Sequence, residues 1–213
     1  MTTAAATAAI DLLKHPLSAK RRSGAKTLRK LQDAAAGPGL LQALRNELSD
    51  TRTWETQYQM IMALGACRYA PAAPFLQELA GRGFEATMVY VAIGDALVRL
   101  APPEDGTWKT LMGLVHTGNE SLAYGACQAM AMLRLVPPRA VIEQLIEFAN
   151  RFPLDESRTL NQRLWIAAAA PGWLEHCPAI RPFLEVCLGS RNEQVRLAAG
   201  AALQGKYRKW QPL

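Results

Sequence analysis

The sequence contains few of the features that most enzymes and secreted proteins need. Its four cysteines form no CxxC pair, and its three histidines belong to no HExxH motif or cluster of ligands. The motifs GxxxxGKS/T, GxGxxG and GxSxG, which bind phosphates or hold a nucleophile, are absent as well. We therefore predict no metal, no cofactor and no catalytic residue. Pairs of acidic residues in predicted loops leave acid catalysis as an open alternative.

Long hydrophobic runs are also missing. The richest apolar stretch, residues 164–174, is interrupted by Pro171 and Gly172, so a membrane-spanning helix is not expected. Residues 1–10 lack the basic start of a secretory signal. The cysteines lie on apolar helical patterns and predict reduced, buried thiols in a cytoplasmic protein. They are Cys67, Cys127, Cys177 and Cys187.

A repeated helical pattern occupies most of the chain. Its clearest copy begins at Arg196 and reads R-x-x-A-x-x-A-L, with small residues three and six positions after the arginine. Each copy is accompanied by a second amphipathic stretch and by turn residues, which predicts pairs of short helices. Similar segments begin at Arg21, Gln57, Tyr90, Ala123 and Arg163, at spacings of 33 to 40 residues.

Alanine recurs at the sixth position after the start of five copies. Helices in adjacent layers approach closely only where small residues lie between their axes, so this pattern predicts stacking of one pair on the next. At the last copy, Ser190 and Glu193 have the spacing of a capping box. The recurring alanines are Ala63, Ala96, Ala129, Ala169 and Ala202.

The layout resembles that of HEAT-repeat proteins from about Ala4 to Gly205. The resemblance implies an all-α, right-handed α-α superhelix, a solenoid of about six helical-hairpin layers. It implies one domain over residues 1–213, with copies anchored near 21, 57, 90, 123, 163 and 196. It also implies a ladder in which an aspartate before the motif helix pairs with the arginine that starts a copy. Asp50 fits the aspartate position, whereas Gln57, Tyr90 and Ala123 depart from the arginine.

The resemblance places the motif helices on the concave side of the superhelix. Aromatic residues and methionine with few charges are typical of protein-binding surfaces, so we predict a protein or peptide partner there. For each aromatic residue taken alone, packing in the core is the alternative. The helical phase assigns to the concave face Trp54, Tyr58, Met62, Met88, Tyr124, Gln128 and Trp165.

The net charge of +6 is concentrated at the ends of the chain. Residues 206–213 form a basic tail in which KYRKW mixes cations and aromatics, as nucleic-acid binders do, although Trp210 could equally pack on the last layer. The N-terminal cluster is either a phosphate-binding site or a solubilising end cap. It comprises Lys20, Arg21, Arg22, Lys26, Arg29 and Lys30.

Nucleic-acid binding is therefore the alternative to a protein partner. The length and basic charge are similar to those of HEAT-like alkylpurine DNA glycosylases, although no motif locates their catalytic residues here. The acidic middle of the chain argues against a duplex wrapped along the inner surface, because phosphate neutralisation supplies most of the affinity for DNA. A toxin-neutralising protein is a third reading, and it is a special case of protein binding. The sequence does not indicate an oligomeric state.

Overall fold

The chain folds into helices joined by short turns. The computed structural model of the protein describes residues 3–154 and 160–210. Within these residues there are twelve α-helices and four short 3-10 turns, and no strand. The predicted all-α class is confirmed. The chain divides into two compact units, Met1–Thr110 and Leu111–Leu213. From the sequence, a single domain over 1–213 is expected.

Unit 1 is built from three helix pairs. Helix α1 packs on α2, α3 on α4, and α5 on α6, while α2, α4 and α6 pack side by side in that order. A further helix, α7, spans the boundary between the two units. The helices are α1 (Ala4–Leu12), α2 (Ser18–Leu31), α3 (Gly37–Glu47), α4 (Trp54–Ala66), α5 (Ala73–Ala80), α6 (Thr87–Leu100) and α7 (Asp105–Val115).

Unit 2 repeats the same arrangement. Helix α10 packs between α8 and α12, while α9 packs on α10 and α11, and α11 packs on α12. A 3-10 turn over Ala170–Trp173 ends α10, because Pro171 cannot continue the backbone hydrogen bonds of the helix. The helices are α8 (Glu120–Met132), α9 (Arg139–Asn150), α10 (Arg163–Ala169), α11 (Ile180–Cys187) and α12 (Glu193–Leu203).

Small residues set the distance between neighbouring helices in unit 1. A Cβ atom placed on Gly65 of α4 would lie 2.7 Å from the Cα atom of Ala96 in α6. A Cβ atom on Gly24 of α2 would lie 2.7 Å from the carbonyl oxygen of Ala9 in α1. The backbones are therefore in direct contact, as the alanine pattern predicts. All five recurring alanines are fully buried.

The first residue of several copies holds the turn that precedes it. Nη1 of Arg21 donates to two carbonyls five and six residues upstream, each at 2.8 Å. Arg196 makes the same two bonds in unit 2, at 2.7 and 2.9 Å. Where glutamine replaces the arginine, the Gln57 amide donates to the carbonyls of Glu47 and Asp50. The repeated position is thus a donor to backbone carbonyls of the turn.

Among the residues the structure describes, the Asp50 carboxylate makes none of the ladder bonds that the resemblance implies. Its carboxylate accepts both the Nε–H and the Nη2–H of Arg52, each at 2.9 Å. The backbone N–H of Arg52 donates to the same carboxylate. A guanidinium two residues away satisfies the aspartate locally, so the contact closes the 3-10 turn before α4.

The predicted capping box at α12 is wrong. The side chain that caps the helix belongs to Asn192, whose Oδ1 accepts from the backbone N–H groups of Gln194 and Val195. Ser190 instead donates its hydroxyl to the carbonyl of Leu154, at 3.0 Å. The helix begins two residues later than the pattern predicts. Asn192, directly before Glu193, is as good a cap as Ser190.

All four cysteines are buried and free, as predicted. Burial raises the pKa of Cys127 to about 12 and that of Cys67 to about 11. Thiols with such values remain protonated and unreactive at neutral pH. Within the described parts of the chain, no helix is both long and apolar enough to cross a membrane.

Candidate partner-binding surfaces

One exposed tryptophan lies at the start of α4 in unit 1. Trp54 keeps 36% of its surface exposed. The residue after it, Glu55, forms an ion pair with Arg22 of α2. This pair ties the first turn of α4 to the neighbouring helix and leaves a large apolar side chain in solvent. We call Arg22, Trp54 and Glu55 the Trp54 surface.

A second polar contact joins α2 to α4 further along both helices. Nη1 of Arg29 donates to Oε1 of Gln59 at 3.2 Å. Burial raises the pKa of the Tyr58 phenol, and the nearby Arg29 guanidinium opposes that shift. Arg29 is therefore committed to contacts inside unit 1.

The other groove residues predicted for unit 1 are largely inaccessible. Tyr58 and Met62 expose 4% and 2% of their surfaces, and Met88 of α6 is half-buried. Asp95, two turns further along the same face of α6, is fully buried and accepts from Nε of Arg99 at 2.5 Å. The predicted groove residues require α4 to be covered on one side only. Helix α4 lies between α2 and α6, so almost its whole circumference is packed.

The N-terminal basic cluster divides into bound arginines and exposed lysines. Glu47, at the end of α3, is buried and accepts from Nε of Arg21 at 2.5 Å and from Nη2 at 2.9 Å. The Ser18 hydroxyl donates to the same carboxylate at 3.0 Å. With Arg22 paired to Glu55, none of the three arginines of the cluster is left as a simple surface charge. The charge of Arg21, one of the residues predicted to contact phosphate, is paired with Glu47 inside unit 1.

Three lysines of the cluster remain on the surface. Lys20, Lys26 and Lys30 are exposed, and none of their side chains forms a hydrogen bond or ion pair with a residue the structure describes. Lys26 and Lys30 lie four residues apart on the face of α2 opposite Gly24 and Leu28, which are buried. This face is the part of the cluster that could still contact phosphate.

In unit 2 the predicted groove residues form an aromatic cluster. The rings of Tyr124 and Trp165 meet edge to face with centroids 6.0 Å apart, and Trp210 of the tail packs on Trp165 at 5.1 Å. Tyr124 and Trp165 expose 7% and 8% of their surfaces, and Gln128 is half-buried. Tyr124 and Trp165 are therefore not accessible as predicted, because Trp210 of the tail adds a third ring to the cluster.

The tail follows α10 in the reverse direction. Arg134, after α8, lies over the ring of Tyr207 at 4.6 Å, and a Cβ atom on Gly172 would lie 2.5 Å from the Tyr207 hydroxyl. Arg208 lies over the ring of Trp210 at 4.9 Å. Trp210 thus packs against the protein, but on Trp165 of α10 and not on the last layer. Residues 211–213 of the predicted basic tail lie outside the described residues.

Some of the residues that build these surfaces are not among those predicted from the sequence. Glu47 continues the buried stripe of Leu40 and Leu44 on α3, and an acidic residue at a stripe position signals a buried ion pair. Gly172 and Arg134 carry no such signal, because their role depends on where the tail lies. The described residues contain no group of three or more His, Cys, Asp or Glu side chains placed to hold a metal ion.

Comparison with known proteins adds no family to this description. No protein-family model matches the chain, and no curated protein matches it significantly.

Proposed function

We infer that this chain is a HEAT-like repeat protein, a right-handed solenoid of about six layers, that acts in the cytoplasm as a non-enzymatic binding module. Its ligand is a protein or peptide, and no cofactor takes part. The first contact surface is the Trp54 surface of unit 1. The repeat spacing and the side-by-side packing of α2, α4 and α6 support the architecture.

The proposal rests mainly on the exposure of Trp54. A side chain of this size with 36% of its surface in solvent is an apolar anchor of the kind enriched at interface centres. Arg22 and Glu55 neutralise each other next to it. A neutral rim around an aromatic anchor favours a protein partner, because phosphate ligands require uncompensated cations.

Capture from native lysate, with and without nuclease, separates the two partner classes. The wild-type chain, Trp54→Ala and Leu31→Ala are immobilised and compared. Leu31 is the matched control, because it lies at the far end of α2 with 41% of its surface exposed. We expect a protein to be retained after nuclease treatment by the wild type and the control. Loss of an anchor of about 2 kcal/mol weakens its binding to Trp54→Ala by about thirtyfold.

Binding to the purified captured protein then decides the proposal. Equal affinity of the wild type and Trp54→Ala would remove the Trp54 surface as the site. Capture of nucleic acid alone would favour the second candidate, a nucleic-acid binding protein with or without glycosylase activity. That candidate is supported by the exposed lysines of α2, Lys20, Lys26 and Lys30.

A further inference from the structure

We propose that unit 2 contains a peptide-binding cleft which the C-terminal segment of the same chain covers. The cleft consists of Tyr124, Gln162 and Trp165, and we call it the Trp165 cleft. The covering segment, Lys206–Trp210, is the tail segment. The inference concerns a different unit from the Trp54 surface, so either proposal can fail without the other.

The tail segment lies on unit 2 as an extended ligand would. It has no regular secondary structure, and it runs from Tyr207, beside Gly172, to Trp210 on Trp165. The segment therefore runs antiparallel to α10. Both anchoring residues are half-buried aromatics, and each has an arginine over its ring. The segment therefore displays the chemistry that this face of unit 2 accepts.

Two unsatisfied polar atoms belong to the cleft. Oε1 of Gln162 and Nε1 of Trp165 are buried without a hydrogen-bond partner within the described structure. Both side chains extend over the first turns of α8, where Nε2 of Gln162 donates to the Glu120 carbonyl at 2.9 Å and Trp165 meets Tyr124. A buried polar group that lacks a partner is destabilising, because it has given up its hydrogen bonds to water. One free acceptor and one free donor are complementary to the N–H and C=O groups of a peptide main chain.

One further buried atom without a partner belongs elsewhere. Nε of Arg163 is also unsatisfied among the described residues. The same guanidinium donates to Oδ1 of Asn150 at 3.0 Å and to the carbonyl of Phe152 at 3.2 Å. These partners lie at the end of α9, so Arg163 supports the helix pair and takes no part in the cleft.

The tail segment is held by few directional bonds. Its first N–H, that of Lys206, donates to the Ala201 carbonyl at 2.9 Å. Beyond that point the main chain from Tyr207 to Trp210 makes no hydrogen bond to other described residues. The bond between side chains of the segment and α12 is long, 3.4 Å from Nη1 of Arg208 to Oε1 of Gln194. A peptide that used its main chain to satisfy Gln162 and Trp165 would therefore bind better than the segment itself.

The ligand class follows from these contacts. It is an extended peptide with an aromatic residue that packs on Trp165 and a cationic residue close to it in the chain, as Arg208 is to Trp210. Its main chain supplies the missing acceptor and donor. The tail segment competes with it from within the chain at an effective concentration of the order of millimolar, which keeps the cleft closed to weak ligands.

A labelled peptide, GKYRKW, reproduces residues 205–210 and serves as the probe. Fluorescence polarisation measures its binding to the full-length wild type and to full-length Trp210→Ala. We expect Trp210→Ala to bind at least tenfold more tightly, because its own segment has lost the residue that covers Trp165. The control peptide GKYRKA lacks the aromatic anchor and should bind neither protein. Circular dichroism and thermal unfolding establish that the variant is folded.

A second substitution tests the hydrogen bond in the cleft. Trp165→Phe, introduced into Trp210→Ala, keeps an aromatic ring but removes the indole N–H, and should weaken probe binding at least fivefold. An unchanged affinity would contradict the role of Nε1. If Trp210→Ala is folded and still binds no probe, the cleft proposal is wrong and the segment is an end cap. If Trp210→Ala does not fold, Arg208→Ala provides the same comparison through loss of the contact with the Trp210 ring.

Discussion

Arg21 and Glu47 form a two-point ion pair between α2 and α3, with N–O distances of 2.5 and 2.9 Å. The Glu47 side chain is 1% exposed and that of Arg21 is 21% exposed. The same arginine donates to two carbonyls of the turn before α2. Arg21 therefore joins the first two helix pairs, and its charge is used inside the protein.

Substitution of Glu47 by glutamine should lower the free energy of unfolding by about 2–3 kcal/mol, because it leaves a partly buried guanidinium without its carboxylate. Urea unfolding followed by circular dichroism measures the change. Glu78→Gln is the matched control, since it breaks an exposed pair with Arg82 that also has a 2.5 Å N–O distance. That control should change the free energy by less than about 0.5 kcal/mol. Equal effects of the two substitutions would contradict a buried pair.

The same pair predicts a dependence of stability on pH. Burial alone would raise the pKa of Glu47, but hydrogen bonds from Arg21, Thr53 and Ser18 outweigh it and hold the pKa below its ordinary value of 4.5. A depressed pKa in the folded state stabilises the protein above the unfolded pKa and loses that contribution as the pH falls through the folded one. The difference in unfolding free energy between wild type and Glu47→Gln should be constant above about pH 5.5 and shrink below about pH 4.5. A constant difference down to pH 3 would contradict it.

The contact between α4 and α6 leaves no room for a side chain at Gly65. Gly65→Ala places a methyl group 2.7 Å from Cα and 3.0 Å from Cβ of Ala96. We expect a loss of about 1–3 kcal/mol of stability, because the backbone of α6 must move. Gly113→Ala is the control within α7, where no atom beyond the adjacent residues and the nearby helix backbone lies within 4 Å of the added methyl group. It should stabilise the protein by up to about 1 kcal/mol, since alanine favours the helix, and thermal unfolding of both variants gives the comparison.

The exposed lysines of α2 make a prediction about nucleic acid. If the protein-partner proposal holds, duplex DNA binds only non-specifically, with a dissociation constant no tighter than about 1 μM at physiological salt. Replacement of Lys20, Lys26 and Lys30 by glutamine should then reduce the slope of log K against log salt by at most about 2.7. Fluorescence polarisation with a labelled duplex measures both quantities. Tight binding with a steep slope, abolished in the triple variant, would favour the nucleic-acid candidate.

The division of the predicted groove residues shows where helical phase stops being informative. Trp54 and Tyr58 are both on α4, four residues apart, yet one is exposed and the other is buried. The periodicity of a helix fixes which residues share a face. It does not fix how many neighbouring helices cover that face, and α4 has neighbours on both sides.

The sequence by itself determined the helices, their pairing along the chain and the small residues between them. These follow from hydrophobic spacing, turn residues and steric size, which act over short stretches of chain. Only the tertiary structure decided that Glu47 pairs with Arg21 and that Trp210 covers Trp165. Such contacts join residues on different helices or on the tail, and their energies depend on burial by elements that local pattern does not specify.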